Sequence, residues 1–110
     1  MSVNEVWTEP SVVTMVEGEV IPWAVQFYGA DSLASPVSTV WKDGQDYSAD
    51  VQLSGDSDSV VGDIMTLKKI TAKEGDAGSA YIVRAEVEVD GASTERRKFK
   101  INVVSASNDD

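Results

Sequence analysis

Cysteine and histidine are both absent from the 110 residues. Without thiols no disulfide staples the fold, which fits a chain matured in a reducing compartment or one that never relies on oxidation. Most nucleophile–base pairs disappear with them, as do the usual general base near neutral pH and nearly all zinc sites. Proline is scarce at three residues, and the longest uninterrupted apolar run is three or four residues. A membrane-spanning helix needs about 20. The opening stretch MSVNEVWTEP has neither a basic n-region nor an apolar h-region, so a soluble protein made in the cytoplasm without a signal peptide is expected. The phosphate-cradling glycine patterns GxxxxGKS/T and GxGxxG do not occur either.

Positive charge is the remaining shortage. The net charge is −10, and it is unevenly spread: residues 1–67 hold eleven carboxylates against one base, Lys42, whereas residues 68–110 hold eight of each sign. Such a surface repels phosphate backbones, so nucleic acid is not an expected partner. It favours solubility, and it suits docking on a basic neighbour.

What the chain has in plenty is short alternating apolar segments broken by Gly, Pro, Asp and Ser, the pattern of an all-β sandwich or barrel. Strands are predicted at about 11–16, 20–28, 37–42, 60–70, 80–89 and 94–104, with a short ribbon through 45–53. Glu17-Gly18-Glu19, Asp43-Gly44 and Asp90-Gly91 read as turns, and 29–36 and 54–59 as loops. Ile21, Trp23, Val25 and Phe27 share one face of their strand. Pro22 belongs at a strand start or a bulge, because it cannot donate to a ladder. The last two strands pair convincingly. Tyr81, Val83, Ala85, Val87 and Val89 line one face of the first, Phe99, Ile101 and Val103 one face of the second. Glu86 and Glu88 then oppose Arg96, Lys98 and Lys100. One domain is expected at 11–104, with an N-terminal segment 1–10 and a polar tail 105–110.

Several of these residues carry a family likeness. Met65, Leu67 and Ile70 match the L-x-I-x-x-L spacing that leads into the corner of immunoglobulin-like domains. Glu74-Gly75-Asp76-Ala77-Gly78 resembles the acidic-Ala-Gly corner itself. Tyr81, two residues before Val83, resembles the tyrosine corner, whose hydroxyl ties the crossover to the next strand. Trp41, fourteen residues after Phe27, is similar to the core tryptophan. Val83 and either Phe27 or Val25 stand where the family has its two cysteines. The missing cysteines and one or two extra residues between Ile70 and Tyr81 depart from the pattern, and a fibronectin-type or invasin-type sandwich is the alternative. The resemblance implies an immunoglobulin-like β-sandwich of about seven antiparallel strands.

The closing hairpin VEVDGASTERRKFKINV narrows the likeness. Its basic strand ends in an aromatic-x-I-x-V run, Phe99 to Val103, similar to small cysteine-free domains of tailed-bacteriophage virion proteins. That resemblance implies a structural role in a virion: capsid decoration or cement, or a tail or neck accessory. The implied partner is another protein subunit, a major capsid or tail protein. The alternatives are a bacterial adhesion or carbohydrate-binding module, which calls for an exposed aromatic platform, and a subunit that adds an edge strand to another sheet.

For chemistry the residues offer little. The acids lie mostly in loops or on solvated faces, and a sandwich of this size leaves scant room for a substrate cleft. No enzymatic activity, catalytic residue, small-molecule substrate, membrane contact or cofactor is expected. The clusters Asp56-Ser57-Asp58 with Asp63, and Asp43, Asp46 and Asp50, are calcium candidates that lack the helix–loop–helix pattern. The reading taken is no metal, with loop calcium left open. Phe27, Trp41, Leu67, Tyr81, Val83 and Phe99 are the predicted core, together with Trp23. Trp7, Tyr28 and Tyr47 are the candidate partner contacts; for Trp7 the other reading is that it folds back over the open end of the sandwich.

Overall fold

Period-two alternation over short segments yields strands, and almost nothing else forms. The computed structural model describes residues 4–106, with side chains from residue 7 onward. Of the segments 1–10 and 105–110 set apart in the sequence, residues 1–3 and 107–110 therefore lie outside the described residues. Ten strands follow in order: β1 (Asn4–Val16), β2 (Val20–Ile21), β3 (Ala24–Gln26), β4 (Leu33–Lys42), β5 (Gln45–Asp46), β6 (Ser59–Val61), β7 (Ile64–Thr66), β8 (Ile70–Thr71), β9 (Ala80–Val89) and β10 (Ser93–Val104). A single four-residue helix, α1 (Ser48–Val51), lies between β5 and β6.

The strands form two layers of a β-sandwich. One is a five-stranded sheet in the order β1-β10-β9-β4-β5; the other is built from β3-β7-β6 and the short pair β2-β8. The break between β2 and β3 falls at Pro22 and Trp23, where the missing proline N–H leaves the ladder incomplete. Met15, Val25, Phe27, Leu67, Tyr81, Val83, Phe99 and Ile101 all belong to one buried cluster between the layers. Fully burying each apolar side chain of this size contributes roughly 1.5–3 kcal/mol, which is how the layers hold without a covalent bridge.

Several details differ from the sequence expectation, among them that β4 begins at Leu33, inside the stretch 29–36 read as a loop. The pairing of β1 with β10 is parallel, not antiparallel. β10 is thereby an interior strand, and β1 is the edge. β1 also begins at Asn4 and thus runs through most of the segment set apart as 1–10. The strand expected at 60–70 is a hairpin, β6 to β7, followed by the separate β8. Finally, Trp41 is not in the core. Val40 is fully buried in its place, while Trp41 is half-buried on the outer face, its indole donating to Thr39 Oγ1 at 3.1 Å and lying 5.3 Å from the Arg84 guanidinium.

Elsewhere the turn chemistry holds. Asp43 (φ 54°) and Gly44 (φ 76°) are both left-handed, and Lys42 pairs with Gln45 across them, the two-residue arrangement that a type I′ hairpin requires. Arg96 faces Glu86 across β10 and β9 and forms an ion pair with it at 2.5 Å.

Candidate functional site

Two places bring functional-type side chains together: a polar clasp at one end of the sandwich, and a groove along its open seam.

The clasp is centred on Asp76, which is 6% exposed. Its Oδ2 accepts from the Tyr81 hydroxyl at 2.6 Å and from the Tyr47 hydroxyl at 3.0 Å, and Lys42 Nζ lies 3.3 Å from Oδ1. The Tyr81 oxygen accepts in turn from the Lys73 N–H at 3.1 Å. One phenol thus ties the 72–79 crossover to the start of β9. Burial alone would raise the Asp76 pKa, but the hydrogen bonds from Tyr81, Tyr47 and Lys42 prevail and bring it below the ordinary carboxylate value. Burial, reinforced by the adjacent carboxylate, pushes both tyrosine hydroxyls up. These bonds tie the corner to β4 and β9. Tyr47, read from the sequence as a candidate partner contact, is instead half-buried in this clasp, with the Lys42 and Lys73 ammonium groups 5.0 and 5.7 Å from its ring.

The acidic loops are committed to the fold in the same way. Asp58 accepts from the Ser38 N–H and hydroxyl and from the Lys68 N–H. Asp56 accepts from the Lys69 N–H, which is the main reason its pKa lies below the usual value, with the Ser57 N–H second. Asp46 is lowered chiefly by the Ser48 N–H. Among the described residues no three ligating side chains cluster as a metal site would require.

The groove is where the two layers fail to meet. β1 is the edge of the five-stranded sheet and β3 the edge of the three-stranded one. Between Trp7 and Val12 the register of β1 against β10 shifts, and the intervening residues swing out as a bulge. The result is a cleft of about 590 Å³ between the bulge and β3, walled by Trp7, Pro10 and Val13 on one side, Ala24 and Gln26 on the other, with Tyr28 at its mouth. Trp23 forms the floor. It is half-buried rather than a core residue, with its ring edge-on to Phe99 (centroids 5.9 Å apart) and its indole N–H 3.4 Å from Met15 Sδ.

Of the residues singled out in the sequence, the structure therefore gathers Trp7 and Tyr28 at one cleft. Trp7 is 46% exposed, with Lys98 Nζ 4.8 Å from its ring centroid, and Tyr28 is 85% exposed. The small sheet exposes two further apolar residues. Gln26, Ile64 and Val61 stand in one row across β3, β7 and β6, and Ile64 and Val61 are 42% and 80% exposed. Ile64 and Val61 were missed because 60–70 reads as one strand; the Gly62-Asp63 step inside it is the signal that marks the hairpin.

The charges around the cleft are simple. Arg97 is neutralised by Glu95 at 2.9 Å; Glu9, exposed on the bulge, is the carboxylate of the lining, and Lys98 sits over the Trp7 ring. Among the described residues no helix is long and apolar enough to cross a membrane. No protein-family model matches this chain, and no curated protein matches it.

Proposed function

We propose that this chain is a non-enzymatic structural module that acts by docking on another protein. The observation that carries the reading is the exposure of Trp7 and Tyr28 at the cleft and of Ile64 and Val61 on the small sheet, four large apolar side chains between 42% and 85% exposed. All four lie in the half of the chain that holds the whole −10 surplus. Aromatic and aliphatic anchors beside a charged rim are the usual composition of a protein contact. A reaction centre has less support: the chain has no His or Cys, and the most buried carboxylate, Asp76, is already saturated by donors.

At the finer level we propose an immunoglobulin-like sandwich of the cysteine-free kind carried by tailed-phage virions, docked on a coat or tail subunit. The two-layer topology, the Tyr81 corner and the apolar pairing of Val25 and Phe27 with Val83 support the kinship. The test is mass spectrometry of purified phage particles. The expected outcome is this chain in fixed stoichiometry with a coat or tail subunit; its absence from every particle examined ends the virion reading. One observation favours a second reading. Tyr28 beside Trp7 is the kind of exposed aromatic pair that an adhesion or carbohydrate-binding module would use, and a glycan array checks it.

A further inference from the structure

We propose that the cleft between β1 and β3 is a strand-acceptor site: it takes an extended, positively charged segment of the partner protein, which pairs with the free edge of β3. This rests on the docking reading above and specifies its mode.

The backbone gives the first reason. Phe27 N–H donates to the Asp63 carbonyl and Leu67 N–H to the Trp23 carbonyl, so the odd-numbered residues of β3 are the ones bonded to β7. In an antiparallel ladder the alternate residues face the other way. The N–H and C=O groups of Ala24 and Gln26 therefore point out of the sheet edge, and both residues line the cleft. Such a row of groups is a template for one more strand. A neighbouring first strand is one way to cover such an edge. Here that strand belongs wholly to the other sheet, where it pairs with β10 from Asn4 to Val16, and its outward bulge leaves the space open.

Side chains give the second reason. A strand laid on β3 alternates its residues between the two faces. One set would drop onto Trp23 and against Trp7 and Pro10; the other would continue the outer face beside Gln26, Ile64 and Tyr28. The first face is apolar; the second is mixed, with the Gln26 amide held by Asp63 beside the exposed Ile64 and Tyr28. Charge gives the third. Glu9 lines the cleft, Arg97 in the same lining is matched by Glu95, Lys98 is drawn over the Trp7 ring, and residues 1–67, which supply most of the lining, carry the whole −10 surplus. A segment alternating apolar residues with Lys or Arg satisfies all three conditions.

The test uses the intact protein, ¹⁵N-labelled, titrated with an eight-residue peptide of alternating Val and Lys. Three comparison probes are the same peptide N-methylated on alternate residues, a Val/Glu counterpart and an oligosaccharide such as cellohexaose. The Val/Lys peptide is expected to move the Ala24 and Gln26 amides and the Trp7 and Trp23 indoles, and to slow hydrogen exchange at the two amides. Loss of one edge hydrogen bond by Ala24→Pro in the protein weakens binding about tenfold, and loss of every edge-facing donor by N-methylation weakens it further. Glu9→Gln weakens it about two- to fivefold, less so at high salt. If the N-methylated peptide binds as well as its parent, the cleft binds side chains without adding a strand, and the proposal falls while docking stands. No amide response to millimolar Val/Lys peptide overturns it, even if the chain is found in virions. A response to the Val/Glu peptide or the oligosaccharide alone overturns it in favour of that chemistry.

Discussion

Tyr81 concentrates more of the fold into one atom than any other residue. Its oxygen donates to Asp76 and accepts from Lys73 N–H. Tyr81→Phe keeps the ring and leaves a buried carboxylate and an amide each short of a partner. The expected loss is about 1–3 kcal/mol, read by urea unfolding. Asp76 makes the same corner sensitive to acid. Its folded pKa is depressed, so its contribution is complete above the unfolded carboxylate value of about 3.9 and fades as pH falls through the lower folded value. Stability measured between pH 5 and pH 2 should drop for the parent protein and drop less steeply for Asp76→Asn; parallel curves would remove Asp76 as the cause. Tyr81 was legible in the sequence because its signal is local, two residues before Val83. Trp41 was not. On its strand Val37, Thr39 and Trp41 compete for the core with Ser38, Val40 and Lys42, and the first set is more apolar. The second set is buried or inward because distant acids answer it: Asp58 meets Ser38, and Asp76 meets Lys42. Accordingly Trp41→Ala should cost less than Leu67→Ala, for which about 2–5 kcal/mol is expected.

Elements follow the same division between local and distant causes. β9 and β10 have the limits that alternation predicts, to within a residue. The hairpins at Asp43-Gly44 and Asp90-Gly91 are where their dipeptides put them. Gly44 is in the left-handed region at φ 76°, so Gly44→Ala should destabilise by roughly 1–2 kcal/mol. The stretch 45–53 was read as ribbon, yet Ser48–Val51 turns into a helix. Asp46 accepts from the Ser48 N–H and the Ser48 hydroxyl reaches Val40, local bonds that compete with strand geometry. Half of the groove was likewise hidden. Trp7 and Tyr28 were visible as aromatics outside the core pattern, but the cleft between them depends on β1 choosing β10, a contact about ninety positions away in the chain. Asp58 offers a further check. Asp58→Ala removes three bonds to β4 and the 67–69 turn and should cost about 1–3 kcal/mol. Added calcium, which would raise the melting temperature if it bound the native loop, should leave the parent protein unchanged.

The molecule as a whole carries a net charge of −10, and the whole surplus lies in residues 1–67. Raising ionic strength from ~0.01 M to ~0.15 M shortens the screening length from ~30 Å to ~8 Å. Self-repulsion should relax first, so the melting temperature is expected to rise; a fall would mean that pairs such as Arg96–Glu86 outweigh it.

The parallel seam between β1 and β10 has a mechanical corollary. Asn4 lies beside Glu95 and Val16 beside Val104, so the outer ends of the two strands leave from opposite poles. Tension between those poles pulls the strands lengthwise past each other. The rungs of the ladder must then yield together instead of unzipping one at a time. Stretching single molecules from these ends should register a tall rupture peak, and prying the same two strands apart from one end a much lower one.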